Sequence, residues 1–165
     1  MGFAMNIFTE ALLFSEDLLI DFMHRNKISW TPATSGNTYR HCVQSKFTPA
    51  IGNAVSNLSK LPLSSMTFAI YGKVPYFPRG YNPRDFLHYC AVLATAAADE
   101  CDRGNDEFAD EVVLSIARYL KEMKGSGEFN RKGGWSAIQQ EGAESCVHWQ
   151  RQTIRNLETR IGYSK

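Results

Sequence analysis

The chain has 165 residues, with 18 basic against 17 acidic side chains and a formal net charge of +1. A chain of this length fits a single domain, residues 1–165, and can bury roughly 70% of the surface that it exposes when unfolded. Because the charges nearly cancel, no field of one sign attracts nucleic acid or an anionic membrane, and we expect neither as a partner.

The cysteines favour an intracellular protein, and the chain ends predict neither a signal peptide nor an anchor. Cys42, Cys90, Cys101 and Cys146 are far apart and form no C-x-x-C pair, so they are interpreted as reduced packing residues. The N-terminal residues have no basic leader and no small-residue cleavage site, which predicts no signal peptide. The polar C-terminal residues predict no anchor, and the longest nearly uncharged run, residues 86–98, is too short to span a bilayer.

The first part of the chain shows helical periodicity. Residues 3–25 place apolar side chains on one side and acidic ones on the other, which predicts an amphipathic helix. Residues 31–38 form a loop by their Pro, Gly and Ser content. Short helices between residues 39 and 61 are expected to break at Pro49 and near Pro62, because proline removes a backbone donor.

The middle of the chain contains the most hydrophobic helix. A short helix capped by Ser64 or Ser65 is expected to run through Tyr71. Asn82 then suits an N-cap, and the following proline suits the first helical position of a helix that runs to about Cys101. This helix is apolar nearly all round, so it is predicted to be the central, buried one.

The rest of the chain is also predicted to be helical. Apolar residues from Phe108 to Met123 recur at spacings of four, one, three, three, one and three. A short helix follows Gly133-Gly134, and a last amphipathic helix carries Cys146, Val147, Ile154, Leu157 and Ile161. The sum is an all-α bundle of seven or eight helices around one central hydrophobic helix.

No catalytic motif appears in the sequence. There is no H-E-x-x-H, phosphate loop, G-x-S-x-G or dinucleotide fingerprint, so no enzyme activity and no cofactor are expected. The histidines, His24, His41, His88 and His148, are scattered over different elements, which does not support a metal site. His88 and Cys90 are two apart on a helix and face different sides, so they do not form a nucleophile and base.

Three separated segments carry motifs whose order and spacing agree with one known family across nearly the whole chain. They are residues 15–30, with Leu19-Ile20-Asp21-Phe22 and Trp30; residues 76–89, with Tyr76-Phe77, Gly80 and Asn82; and residues 128–138, with Gly133-Gly134-Trp135. They resemble homology motifs of the Bcl-2 family of apoptosis regulators. The resemblance implies a Bcl-2-like bundle whose central hairpin spans roughly residues 83–124.

The resemblance also implies a function. In that family, a hydrophobic groove receives the amphipathic BH-3 helix of a Bim-like pro-apoptotic partner, a helix-in-groove mode of binding. The short chain and the worn motifs favour an inhibitor of apoptosis of viral origin, cytoplasmic and reaching mitochondria through its partners. An empty apolar groove also favours a homodimer. The alternatives are a pro-apoptotic pore-forming relative and an unrelated helical regulator.

The apolar groove residues are assigned by helical spacing and by the resemblance. The stripe Phe47, Ile51, Val55 and Leu58 would be core in most proteins, whereas in this family such a stripe is partly groove floor. Candidates for the opposing wall are Val74, Phe77 and Leu87. The chain's own BH-3-like segment is degenerate, because Gly52-Asn53 is the nearest match to the Gly-Asp pair of the motif. This argues against a pro-apoptotic protein. Trp30 and Trp135 are expected to pack against the bundle with their N–H groups on carbonyls.

The charged groove residue departs from the family pattern. The family's Asn-Trp-Gly-Arg sequence, whose Arg pairs with an Asp of the ligand helix, is replaced here by Asn82-Pro83-Arg84-Asp85. Asp85 occupies the arginine position and is also fully explained as a helix-capping residue. We therefore expect Arg84 to supply the contact, with Arg79 just upstream as the alternative.

Overall fold

A computed structural model describes residues 6–33, 40 and 44–162 of the chain, with side chains described except at residues 6, 7, 146–150, 153 and 160–162. Its elements are α1 (Asn6–Arg25), α2 (Pro49–Leu58), a 3-10 turn (Leu63–Ser65), β1 (Ala69–Tyr71), β2 (Val74–Tyr76), α3 (Pro83–Asp102), α4 (Glu107–Gly125), α5 (Glu128–Arg131) and α6 (Gly134–Gly162). The fold is mostly helical, as the all-α prediction requires. His41, Cys42, most of the predicted loop 31–38 and the side chains of Cys146, Val147, His148 and Ile161 lie outside the described residues.

The helix α3 is the central one, as predicted. It begins at Pro83 behind the N-cap Asn82, ends at Asp102, and buries ten of its residues from Phe86 to Ala98. It packs against α4, α4 packs against α1, and α2 lies between α3 and α6. Four buried rings at the centre of the bundle join three of these helices: Phe14, Phe86, Tyr89 and Tyr119.

Proline at position 49 starts a helix instead of breaking one. The side chain of Thr48 caps α2 by accepting a hydrogen bond from the backbone N–H of Ile51. Pro49 occupies the first turn, where its missing N–H would have no intrahelical partner anyway. The predicted break at residue 49 is therefore wrong, and the break near Pro62 is confirmed because α2 ends at Leu58.

The helix predicted to run through Tyr71 is replaced by a 3-10 turn and a β-hairpin. The strands pair antiparallel, with Tyr71 opposite Val74 across a two-residue turn. Gly72 in that turn has a φ of 65°, which favours glycine. Tyr89, whose ring is buried, stabilises the turn because its hydroxyl donates a hydrogen bond to the Lys73 carbonyl at 2.7 Å.

The last two predicted helices form one helix of 29 residues, α6. Gly133 and Gly134 both have positive φ, at 98° and 59°, and they form the junction between α5 and α6. Gly142 lies so close to α2 that an added Cβ would be 3.1 Å from the Ile51 Cα. No helix among the described residues is long and apolar enough to cross a membrane.

Candidate ligand cleft

A cleft of about 640 Å³ lies between the end of α2, the 3-10 turn and the first turns of α3. It is lined by Leu58, Leu61, Ser65, Thr67, Pro78, Arg79, Asn82, Arg84, Asp85 and His88. Its volume falls in the range of ordinary ligand pockets. Leucine and proline side chains form part of its wall, and charged groups stand at the start of α3, so the cleft suits an amphipathic ligand.

The carboxylate of Asp85 is held by hydrogen bonds inside the protein. It accepts from the Thr67 hydroxyl at 3.0 Å and from the Asn82 side-chain amide at 2.8 Å. In return the Asn82 amide oxygen accepts from the backbone N–H of Asp85 at 2.9 Å, which is the N-cap bond of α3. Asp85 therefore completes the helix cap and ties the segment after the 3-10 turn to α3.

Two arginines at the cleft are free to meet an anion. Arg79 and Arg84 are both exposed, and within the described ranges neither has an ion pair or a side-chain hydrogen bond. The charge of Arg84 also acts on Glu141 in α6: burial raises the pKa of Glu141, Glu144 adds to that rise and Arg84 opposes it. These two cations are the groups in the cleft that can bind a carboxylate without breaking a protein contact.

The side chain of His88 forms an uncharged part of the cleft wall. It is 7% exposed, and its ring meets the Phe68 ring edge-on at 5.3 Å. Burial lowers the pKa of His88, Asp85 opposes that change and Arg84 adds to it. The imidazole is therefore neutral at pH 7 and does not add a third cation to the cleft.

The structure brings together five of the predicted site residues at this cleft: Leu58, Arg79, Asn82, Arg84 and Asp85. Ile51, Val55 and Leu87 are buried in the core and do not line it. Phe47 is half-buried and packs edge-on against Phe14 at 6.3 Å. The helical stripe on α2 is thus mostly core, which is the common role of such a stripe, and only its last residue reaches the cleft.

The two hairpin-side candidates also lie away from the cleft. Val74 is 63% exposed on β2. Phe77 is buried and contacts the rings of Tyr89 and Tyr119, where it lines a second depression of about 450 Å³. The predicted wall of Val74, Phe77 and Leu87 is therefore not found at the cleft.

Some lining residues were missed by the sequence interpretation. Leu61 continues the α2 stripe three residues after Leu58, so its spacing was a usable signal. Thr67 had no such signal, because its role depends on the hydrogen bond to Asp85, eighteen residues along the chain. Pro78 and Ser65 likewise reach the cleft only through the turns that the fold imposes.

The two tryptophans of the motifs pack against the bundle. Trp135 lies between Phe14 and Phe129, with ring centroids 5.0 and 5.2 Å apart. Its indole N–H donates to the Glu10 carboxylate at 2.9 Å. The acceptor is thus a carboxylate and not the expected carbonyl. Trp30 packs against the core, and in the described part of the chain its indole nitrogen has no hydrogen-bond partner.

Comparison with protein-family models, with curated proteins and with solved structures finds no match to this chain.

Proposed function

We propose that the protein is a divergent prosurvival regulator of the Bcl-2 type that sequesters the BH-3 helix of a Bim-like pro-apoptotic partner. The observation that carries the proposal is the cleft, in which the last apolar residue of the α2 stripe, Leu58, meets the free cations Arg79 and Arg84 at the start of the central helix. An apolar wall beside a cation is what a helix with apolar anchors and one acidic residue requires.

The contacts that the motif segments make with the helices of the bundle support the proposal. Asp21, in the first motif, lies against Gly52 of α2, where an added Cβ would be 2.4 Å from a carboxylate oxygen. Trp135, in the third motif, bonds Glu10 of α1. Asn82, in the second motif, caps the buried α3. Each of the three segments that suggested the family thus contacts or caps a helix of the bundle, which supports the proposal.

The charges at the cleft favour an acidic group on the ligand. Asp85 stands where the family has arginine, but its oxygens already accept from Thr67 and Asn82. Arg84, one residue earlier, is exposed at the cleft and can take the place of the missing cation. A charge-assisted hydrogen bond of this kind contributes about 1.5–3 kcal/mol, which is enough to select among ligands.

The apolar part of binding requires the cleft to widen. A volume of about 640 Å³ holds only part of an amphipathic helix, and the accessible apolar wall consists of Leu58, Leu61 and Pro78. Further anchors would insert between α2 and α3, above the now buried Val55 and Leu87. Each anchor that is fully buried contributes about 1.5–3 kcal/mol, and part of this is offset by the cost of opening the cleft.

A calorimetric panel of BH-3 peptides tests the proposal. A Bim-like peptide should bind the wild-type chain, and Arg84→Glu should weaken that binding at least about tenfold, or about 1.4 kcal/mol, because it puts a repelling charge beside the ligand's acid. Arg118→Glu is the matched control, since Arg118 is exposed on α4 and does not line the cleft. An equal affinity of wild type and Arg84→Glu removes this contact from the proposal, and no binding of any peptide contradicts the function.

The proposal extends to where the protein acts. A viral inhibitor of apoptosis of this type works in the cytoplasm of the host cell and reaches mitochondria through its pro-apoptotic partners. A chain carrying Arg84→Glu should then lose mitochondrial association together with peptide binding, whereas Arg118→Glu should keep both. Fractionation of cells that express the two variants measures this difference.

A further inference from the structure

The second depression, of about 450 Å³, lies between β2, the end of α4 and α5. Its wall is largely aromatic: Phe77, Tyr81 and Tyr119 are buried, and the exposed ring of Tyr76 extends the wall to the surface together with Met123. The centroid of the Tyr119 ring is 5.7 Å from that of Phe77 and 6.4 Å from that of Tyr81. Ring faces beside a thioether suit an aromatic ligand, and the volume falls in the range of small-molecule pockets.

The charges at this depression favour an anion. Three cations line it, Arg79, Arg131 and Lys132, against one carboxylate, that of Glu128. Glu128 is already paired with Arg131. Arg79 and Lys132 are exposed, and within the described ranges neither has an ion pair. One anionic group on a ligand could therefore meet two cations without breaking a contact inside the protein.

The hydroxyl of Tyr81 is a buried polar group without a partner. Tyr81 is 2% exposed, and in the part of the chain that the structure describes its hydroxyl makes no hydrogen bond. The rings of Phe86 and Phe129 pack against it and offer no acceptor. Burial raises the pKa of Tyr81, so the hydroxyl keeps its proton at neutral pH and remains a donor. A buried donor of this kind costs stability, and an acceptor supplied by a ligand would remove that cost.

We propose that the depression binds a small aromatic carboxylate, with its ring against Phe77 and Tyr119 and its carboxylate facing Arg79, Lys132 and the hydroxyl of Tyr81. The carboxylate follows from the donor set, because ammonium and guanidinium groups only donate and the tyrosine lacks an acceptor. The inference does not rest on the proposed function, since the depression and the cleft share Arg79 alone.

An NMR titration of the full chain with naphthylacetate and its neutral amide tests the charge requirement. The acid should bind at least about tenfold more tightly than the amide, because only the acid can pair with the cations. Lys132→Glu should weaken the acid at least about tenfold and leave the amide unchanged. Lys121→Glu is the matched control, since Lys121 is exposed on α4 over the Phe8 ring and does not line the depression.

Two tyrosine variants test the role of the buried hydroxyl. Tyr81→Phe should be at least as stable as wild type in urea without ligand, because it removes a donor that has no partner, and it should bind the acid at least about threefold more weakly. Tyr89→Phe should do the reverse: it loses the bond to the Lys73 carbonyl and so stability, but it keeps the affinity because Tyr89 does not line the depression.

Three results would overturn the proposal. One is an acid that binds no more tightly than its amide, and another is an affinity that neither Lys132→Glu nor Tyr81→Phe lowers. The third is a peptide with a C-terminal tryptophan that binds more tightly than naphthylacetate, because the depression would then belong to a protein partner. None of these results bears on BH-3 binding, which Arg84→Glu tests at the cleft.

Discussion

Two regions meet at the start of α3, where Asp85 and Phe86 are neighbours in the sequence and lie in different environments. The ring of Phe86 is fully buried and stacks with the rings of Phe14 and Tyr119, at centroid distances of 6.2 and 6.1 Å. Asp85 lies at the cleft and is held by hydrogen bonds from Thr67 and Asn82. The aromatic core depends on shape and the cleft depends on polar contacts, so the two regions should respond differently to mutation.

The largest expected effect is in the aromatic core. Phe86→Ala should lower the free energy of unfolding by about 3–5 kcal/mol, because it removes a fully buried ring and leaves a cavity among four other rings. Tyr76→Ala is the control, since that ring is 57% exposed on the hairpin and should change stability by less than about 1 kcal/mol. Urea unfolding measures both, and equal losses would contradict the distinction between core and surface.

A smaller effect is expected at the capped end of α3. Asn82→Ala removes the N-cap acceptor and one donor to Asp85, so it should cost about 1 kcal/mol. Asn53→Ala, at an exposed position inside α2, should change stability by less than about 0.5 kcal/mol. Thermal unfolding of the two variants checks the difference, and an Asn82→Ala chain as stable as wild type would mean that the cap does not hold α3.

A variant at the same end of α3 should change peptide binding without changing stability. Arg84 is exposed and makes no ion pair with another described residue, so Arg84→Glu should leave the free energy of unfolding within about 0.5 kcal/mol of wild type. Its expected tenfold loss of peptide affinity would then reflect the contact itself and not a damaged fold.

The smallest effect is a pH dependence from His88. Burial lowers the pKa of His88 below its ordinary 6.5 in the folded chain, so the unfolded chain takes up a proton first as the pH falls. The stability from this residue is fully present above pH 6.5, and it declines as the pH falls from 6.5 toward the folded pKa. His88→Leu should reduce this decline, whereas His24→Gln, at an exposed position, should keep it. Unfolding at pH 7 and pH 5.5 measures the slope, and a decline unchanged by His88→Leu contradicts the assignment.

The hairpin was not predicted, although the sequence contains a signal for it. Ile70-Tyr71 and Val74-Pro75-Tyr76 are rich in β-forming residues, and the two residues between them are Gly72-Lys73, a pattern typical of a two-residue hairpin turn. The serines before this segment suggested a helix cap instead. A two-stranded hairpin is only marginally stable alone, so the hydrogen bond from Tyr89 to Lys73, which no local pattern shows, helps to hold it.

Only part of the cleft was predicted, because some of its features depend on local signals and others on contacts between distant residues. Asn82 and its neighbours in the cap could be placed because helix capping involves residues three apart in the chain. The spacing of the α2 stripe could not predict whether it lies in the core or lines the cleft. A helical stripe faces an apolar environment in both cases. The depth to which α2 packs on α3 and α6 decides it, and this depth buries Ile51 and Val55 and leaves Leu58 at the edge of the cleft.

The sequence by itself determined the helical class, the position of the buried central helix and the cap at its start. Periodicity, proline and capping residues act over one or two turns, so their effect is visible in a single stretch of chain. The tertiary structure alone decided which apolar residues line the cleft, why Asp85 is satisfied within the protein and which rings line the depression beside the hairpin. These properties depend on contacts between residues far apart in the chain, such as Thr67 with Asp85 and Gly142 with Ile51.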